Sequence, residues 1–189
     1  EKISDKIDAI NNLYEMADNV LVGGGVANVF MKAKGMNMGS SFVEDVFVDT
    51  AKKEKKDWTE YAFKILSRGN KVKIPVDLVL GDSLDEPKNT KTAESVSDGW
   101  AALDIGPLTA EAFSKAIGQS KTVFWNGPMG VFEDDRFSNG SKTVANAMEN
   151  VSGLTVIAGG DTIEAAEKFC DVSKISHLSL AGGATLEFL

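Results

Sequence analysis

Histidine and cysteine are nearly absent from this sequence: His177 is its one histidine and Cys170 its one cysteine. A single histidine excludes a multi-histidine metal centre built within the chain. A single cysteine excludes an internal disulfide and suits a reducing compartment. No Ser/His/Asp arrangement forms around His177, which lies in an apolar strand-like run and reads as structural. Cys170 ends a helical pattern and reads as packing. No apolar run approaches the ~18 residues of a membrane-spanning helix. The opening Glu1-Lys2-Ile3-Ser4-Asp5-Lys6 lacks a signal-peptide pattern, and a start on Glu reads as a piece cut from something longer. Positive charge is scarce too. Lysine and arginine number 20 against 28 acids, a net charge of −8, so a nucleic-acid backbone is a poor partner. Any bound phosphate must be held locally, by backbone N–H groups and a few lysines.

What is present is an ordinary globular mixture, 43% hydrophobic and 25% charged, and 189 residues suffice for one domain with a sizeable core. Ile3, Ile7, Ile10 and Leu13 recur at helical spacing and predict a helix over residues 5–17. A short strand at 19–22 runs into Gly23-Gly24-Gly25, followed by a helix over 26–34 that Gly35 stops. The lysine-rich stretch 49–56 reads as a solvated turn and helix start, Asp57 as a helix cap, and Trp58, Tyr61, Ala62, Ile65 and Leu66 as one core-facing helical stripe. Two strand pieces surround Pro75, at 71–75 and 77–80. The polar stretch 81–97 has no period and reads as a long surface excursion.

The second half repeats the alternation. A strand at 103–107 ends in Gly106-Pro107, and Thr109 is placed to cap a helix reaching about 117. Residues 122–125 form a strand, and Ser138 or Asn139 caps a helix to about 151. A strand at 154–157 runs into Gly159-Gly160 and a helix to about 170, and a strand at 176–180 ends in Gly182-Gly183, with a further helix from about 184. Strand-helix alternation of this kind predicts an α/β fold, a parallel sheet with helices on both faces and all strand C-termini on one edge. No internal boundary, repeat or low-complexity segment divides residues 1–189.

Glycine clusters follow four strands, at Gly23-Gly24-Gly25, Gly106-Pro107, Gly159-Gly160 and Gly182-Gly183. Each alone is a tight turn; lined up on one sheet edge they let backbone N–H groups approach an anion. At Gly159-Gly160-Asp161-Thr162 a helix begins, so N–H groups and the positive dipole end face whatever binds. Asp161 serves there as an N-cap, as a carboxylate facing a phosphate-bridging Mg²⁺, or as both. Neither a G-x-x-x-x-G-K-S/T loop nor the dinucleotide G-x-G-x-x-G spacing occurs. Lys2 and Lys6 lie four apart and would share a helical face; spacing alone makes them surface charge.

The densest stretch is Trp125-Asn126-Gly127-Pro128-Met129-Gly130-Val131-Phe132-Glu133. It resembles the signature of the C-terminal, nucleotide-binding domain of the phosphoglycerate kinase family. The likeness runs in order through Lys2–Ile7, Val22–Val26, Pro75-Val76-Asp77, Asp98–Pro107, Ile157–Thr162 and Ser176–Glu187. It implies a Rossmann-like three-layer domain spanning 1–189. It also implies reversible phosphoryl transfer between 1,3-bisphosphoglycerate and Mg-ADP, giving 3-phosphoglycerate and ATP, by a cytoplasmic monomer of glycolysis. Position by position, Lys6 would contact nucleotide phosphate and Lys2 would approach the transferring group, which Gly182 and Gly183 would cradle. Gly24, Gly25 and Gly106 would wall the adenine pocket, and Glu133 would hold the ribose. Asn126 and Pro128 would line the nucleotide site. Gly159, Gly160 and Thr162 would hold phosphates, with Asp161 facing the metal. The acid substrate would bind only through an N-terminal domain that these residues do not include, so nucleotide binding without turnover is expected. Departures from the family pattern are Ala158 for a first glycine, Leu180-Ala181 for Thr-Gly and Glu1 for an alanine. A non-catalytic nucleotide-binding module is the second reading.

Overall fold

Residues 3–49 and 54–181 are described by the computed structural model. A 3-10 turn at Ile3–Asp5 leads into α1, Ile7–Met16. Strand β1, Val20–Leu21, then feeds α2, Gly24–Ala33, which begins within the glycine cluster and not at Val26. Hairpin strands β2, Val46–Asp49, and β3, Glu54–Asp57, bracket the lysine-rich stretch 49–56 expected to be a turn and helix start, β3 lying largely within it. β3 is built of charged residues, which hid it from a periodicity reading, as is common where charge guards a sheet edge. Helix α3, Trp58–Ser67, opens on Asp57, whose carboxylate accepts the N–H groups of Thr59 and Glu60, as expected of a cap. Trp58, Ala62 and Ile65 are buried beneath it, but Tyr61 is exposed and meets Trp58 edge to face.

Then come β4, Val72–Lys73, β5, Leu78–Gly81, β6, Thr90–Ala93, and β7, Ala101–Ile105. The expected surface excursion therefore contains a strand. β6 lies at one side of its sheet, half exposed, so it carries no apolar alternation. The final run is α4, Pro107–Gly118, β8, Thr122–Asn126, α5, Asn139–Glu149, β9, Leu154–Ala158, α6, Gly160–Phe169, and β10, His177–Ser179.

The class is α/β as expected, but the strands do not all run in one parallel ladder. β1 pairs parallel with β4, and β8–β9–β10 form a parallel ladder in register Phe124↔Val156 and Leu178↔Ile157. β5 pairs antiparallel with both β6 and β7. The β5–β6 connection is too short for a crossover helix, which parallel neighbours require. The strand before Gly106 thus belongs to a different ladder from those before Gly24 and Gly159.

Two large apolar cores hold these layers, with smaller clusters around Leu78 and Leu80 and around Leu103 and Phe137. One is built from α4, α5, α6, β8 and β9 around Ile105, Phe113, Met148 and Ile157. The other joins α1, α2 and α3 to β1 and β4 around Ile10, Phe30, Trp58 and Val72. Between β1 and β8 runs a groove of about 1010 Å³, walled by α1 and α4 and reaching Gly23, Asn126 and Pro128 at one end.

Candidate functional site

The loop after β8 is the hub of the strand ends. On one side a Cβ at Gly24 would stand 3.2 Å from the Pro128 carbonyl oxygen, so the α2 start lies directly on the loop. On another side the Asn126 amide Nδ2 donates to the Ala158 carbonyl at 2.5 Å, and Gly127 N donates to Thr162 Oγ1 at 2.7 Å. These bonds tie the loop to the end of β9 and the first turn of α6. On the third side Val131 N donates to the Leu103 carbonyl of β7 at 2.9 Å. Met129 N donates to Ser141 Oγ of α5 at 2.9 Å. Trp125 folds back, its indole N–H donating to the Gly127 carbonyl at 2.8 Å.

The structure thus brings Gly24, Gly25, Asn126, Pro128, Gly159, Gly160, Asp161 and Thr162 together around one loop. Gly159 is the N-cap of α6 at φ 93°, a left-handed conformation that favours glycine, and its N–H donates to the Ser179 carbonyl of β10. No side chain caps α6. Gly160 and Asp161 are exposed at this positive dipole end, and a Cβ at Gly160 would meet nothing within 4 Å. Asp161 does not fill the N-cap role. Thr162 is fully buried with its hydroxyl engaged by Gly127 N, so its side chain holds the loop. Asn126 is divided: Nδ2 is used, and Oδ1 is buried without a hydrogen-bond partner. Lys6 is the N-cap residue of α1 and lines the groove. Glu133 is exposed at the far end of the loop.

Gly106 packs against Asp77. A Cβ there would lie 2.2 Å from the Asp77 carboxyl carbon. That carboxylate accepts from Leu108 N at 3.0 Å and Thr109 N at 2.8 Å, and from the Thr109 hydroxyl at 2.6 Å. Asp77 therefore caps α4, where Thr109 was expected to. Likewise neither Ser138 nor Asn139 caps α5 by its side chain; Gly140 N donates instead to Asp104 of β7 at 2.8 Å. These two buried aspartates are the polar residues that local reading missed. Each precedes its partner helix in sequence by more than 25 residues, so only the fold reveals the pair. Burial pushes the Asp104 carboxyl up to about 7, against the N–H bonds from Gly140 and Ile105 that lower it. Lys2, Gly182 and Gly183, and any helix from about 184, lie outside the described residues, as do Lys52 and Lys53. The last described residues, Leu180 and Ala181, are exposed.

His177 is exposed on β10, which lies at one side of its ladder among the described residues. Cys170 is half-buried, and its thiol is held above its ordinary range by burial first, then by the charges of Glu149 and Asp171, which suits packing and not reactivity. Among the described residues no three His, Cys, Asp or Glu side chains cluster closely enough to hold a metal ion unaided. Asp161 alone suits a cation that takes one protein carboxylate and completes its shell from substrate phosphates and water, as Mg²⁺ does. Among the described residues no helix is long and apolar enough to cross a membrane.

Comparison with known proteins agrees with the motifs. The family model described as phosphoglycerate kinase matches residues 1–189. The phosphoglycerate kinase of Moorella thermoacetica is 44% identical over 190 residues, which are 100% of this chain and 47% of that protein. That of Limosilactobacillus fermentum is 44% identical over 191 residues, 100% of this chain and 45% of that protein. The solved phosphoglycerate kinase structure from Coxiella burnetii superposes with a TM-score of 0.85 at 34% identity, covering 99% of this chain and 47% of that one. The structure from Pyrococcus horikoshii OT3 gives a TM-score of 0.79 at 31% identity, covering 100% and 46%. The chain spans about half the length of the relatives it matches. With its matched residues running from the first to the last, the chain belongs to the phosphoglycerate kinase family.

Proposed function

We propose that residues 1–189 are the nucleotide-binding, C-terminal half of a phosphoglycerate kinase, serving phosphoryl transfer between 1,3-bisphosphoglycerate and ADP. The observation that carries this reading is the exposed, uncapped start of α6 beside the 126–129 loop and the Gly24 turn. Backbone N–H groups at Gly160 and Asp161 and the α6 dipole would hold nucleotide phosphates. Gly24, Gly25 and Pro128 would wall the base, and Glu133 would reach the ribose. Mg²⁺, held by Asp161 and the phosphates, would offset their negative charge. Lys6 would contact the nucleotide phosphate, and Lys2, Gly182 and Gly183 would attend the transferring group. Phosphoryl transfer of this kind needs positioning and charge neutralisation more than a protein base. The acid substrate would come from a second domain, and closure between the two would exclude water.

Calorimetric titration of the purified chain with Mg-ADP tests the site: binding is expected, and it is weakened by Gly160→Ala without loss of thermal stability. Absence of heat and of a thermal shift overturns the nucleotide assignment. Turnover of 3-phosphoglycerate and ATP by these residues alone is expected to be negligible; measurable turnover would contradict the two-domain reading. The second reading, a non-catalytic ADP/ATP-binding module, is favoured by Leu180 and Ala181, which stand exposed where the family has Thr-Gly. It predicts that binding persists and that adding a phosphoglycerate kinase N-terminal half restores no activity.

A further inference from the structure

We propose that Asp104 is a positioning residue for the loop at 127–133: its carboxylate is a strut that locks this loop and the first turn of α5 onto β7, and the loop shifts when the strut takes up a proton. The functional consequence rests on the nucleotide reading above; the strut itself does not.

Asp104 is 3% exposed and sits opposite Val79 of β5. Its two oxygens are divided between two backbone donors. Oδ2 accepts from Gly140 N of α5 at 2.8 Å and Oδ1 from Ile105 N at 2.9 Å. Oδ1 would also stand 2.5 Å from a Cβ at Gly130 and 2.3 Å from one at Gly140. The carboxylate therefore fills the space that side chains would take at both positions. The loop is then stitched to the same two elements on either side of Gly130, by Val131 N to the Leu103 carbonyl and Met129 N to Ser141 Oγ.

The electrostatics follow from burial. The ionisable groups borne by the surrounding elements are Asp77 ahead of β5, Lys32 on α2, Glu133 and Asp134 on the loop, and Lys142 and Glu149 on α5. None of them contributes to the Asp104 shift, which burial alone drives upward to about 7. The proton is thus exchanged near neutrality. An ionised carboxylate accepts both N–H groups in full; a protonated one keeps one strong acceptor and gains a donor, so one bond from the pair at Ile105 and Gly140 is lost. The ionised strut holds the loop in the arrangement described here.

Amide NMR of the labelled chain across the neutral range tests this directly. The Gly130, Val131 and Gly140 amides are expected to shift together with one midpoint near about 7 in the native chain and to stay flat in Asp104→Asn. Mg-ADP affinity measured in parallel is expected to rise with pH through that midpoint by roughly fivefold or more relative to Asp104→Asn. The nucleotide's own phosphate titration is common to both chains and cancels in the ratio. Amides that show no such midpoint, or that titrate identically in Asp104→Asn, overturn the strut. A native chain whose amides titrate as stated but whose Mg-ADP heat is absent at every pH leaves the strut standing and removes the nucleotide reading. If Asp104→Asn fails to fold, the native Asp104 carboxyl carbon decides: a midpoint shared with the Gly130 and Gly140 amides supports the strut, and separate midpoints overturn it.

Discussion

A methyl group at position 106 would stand inside the Asp77 carboxylate, whereas one at position 160 would meet nothing. These two glycines are alike in sequence, each closing a strand, and differ in what they are for. Gly106→Ala is expected to lower unfolding free energy by about 1–3 kcal/mol in urea titrations, because the displaced carboxylate caps α4. Gly160→Ala is expected to leave stability unchanged within about 0.5 kcal/mol. Asp104 carries a pH prediction. Its native pKa of about 7 lies above its unfolded value near 3.9. The native state therefore binds a proton that the unfolded state has released, so stability falls as pH rises from about 4 to about 7, by on the order of 4 kcal/mol in all. Asp45 and Asp57 have the opposite sign: held low by the Lys32 ammonium and the Thr59 hydroxyl, their small contributions are lost only as pH falls below about 4. Urea unfolding at a series of pH values checks this, with Asp104→Asn expected to flatten the window between about 4 and about 7.

At the scale of elements, helix starts organise the site, and they are capped from a distance. Asp57 caps its own following helix, which a local reading anticipates. Asp77, just ahead of β5, and Asp104, on β7, cap α4 and α5 from distant segments, which it does not. The start of α6, which like those of α1 and α2 has no side-chain cap at its N-cap residue, is open to solvent beside a loop that Thr162 holds. Thr162→Val leaves the Gly127 N–H buried without its partner and is expected to cost about 1–3 kcal/mol, with Thr162→Ser recovering most of it in thermal unfolding. The missed strands β3 and β6 share one cause: they carry lysines, acids or threonines, so the apolar alternation that betrays a half-buried strand is absent. β2, Val-Phe-Val-Asp, is apolar at three positions but too short to show a period.

Across the whole molecule, the two parallel ladders meet at their glycine ends. The segments that follow β1 and β8 touch where Gly23 and Gly24 abut Pro128 and Met129, while the groove separates the strands themselves. Among the described residues β9 is paired on both sides, β8 and β1 on one. Hydrogen exchange is therefore expected to protect the β9 amides throughout and to find fast-exchanging amides on the groove side of β1 and β8. Uniform protection of all three strands would contradict the groove.

The sequence by itself determined the α/β class, most helices, the glycine-ended strands and the family, because these rest on periodicity, turn chemistry and contiguous motifs. It also marked the residues now gathered at the α6 start. Only the tertiary structure decided that β7 stands in an antiparallel ladder, that Gly106 yields to Asp77, that Thr162 faces inward and that Asp104 sits buried between loop and helix. Each of these is a contact between segments far apart in the chain. Burial and hydrogen-bond direction there depend on which elements pack together, and local spacing carries no record of that.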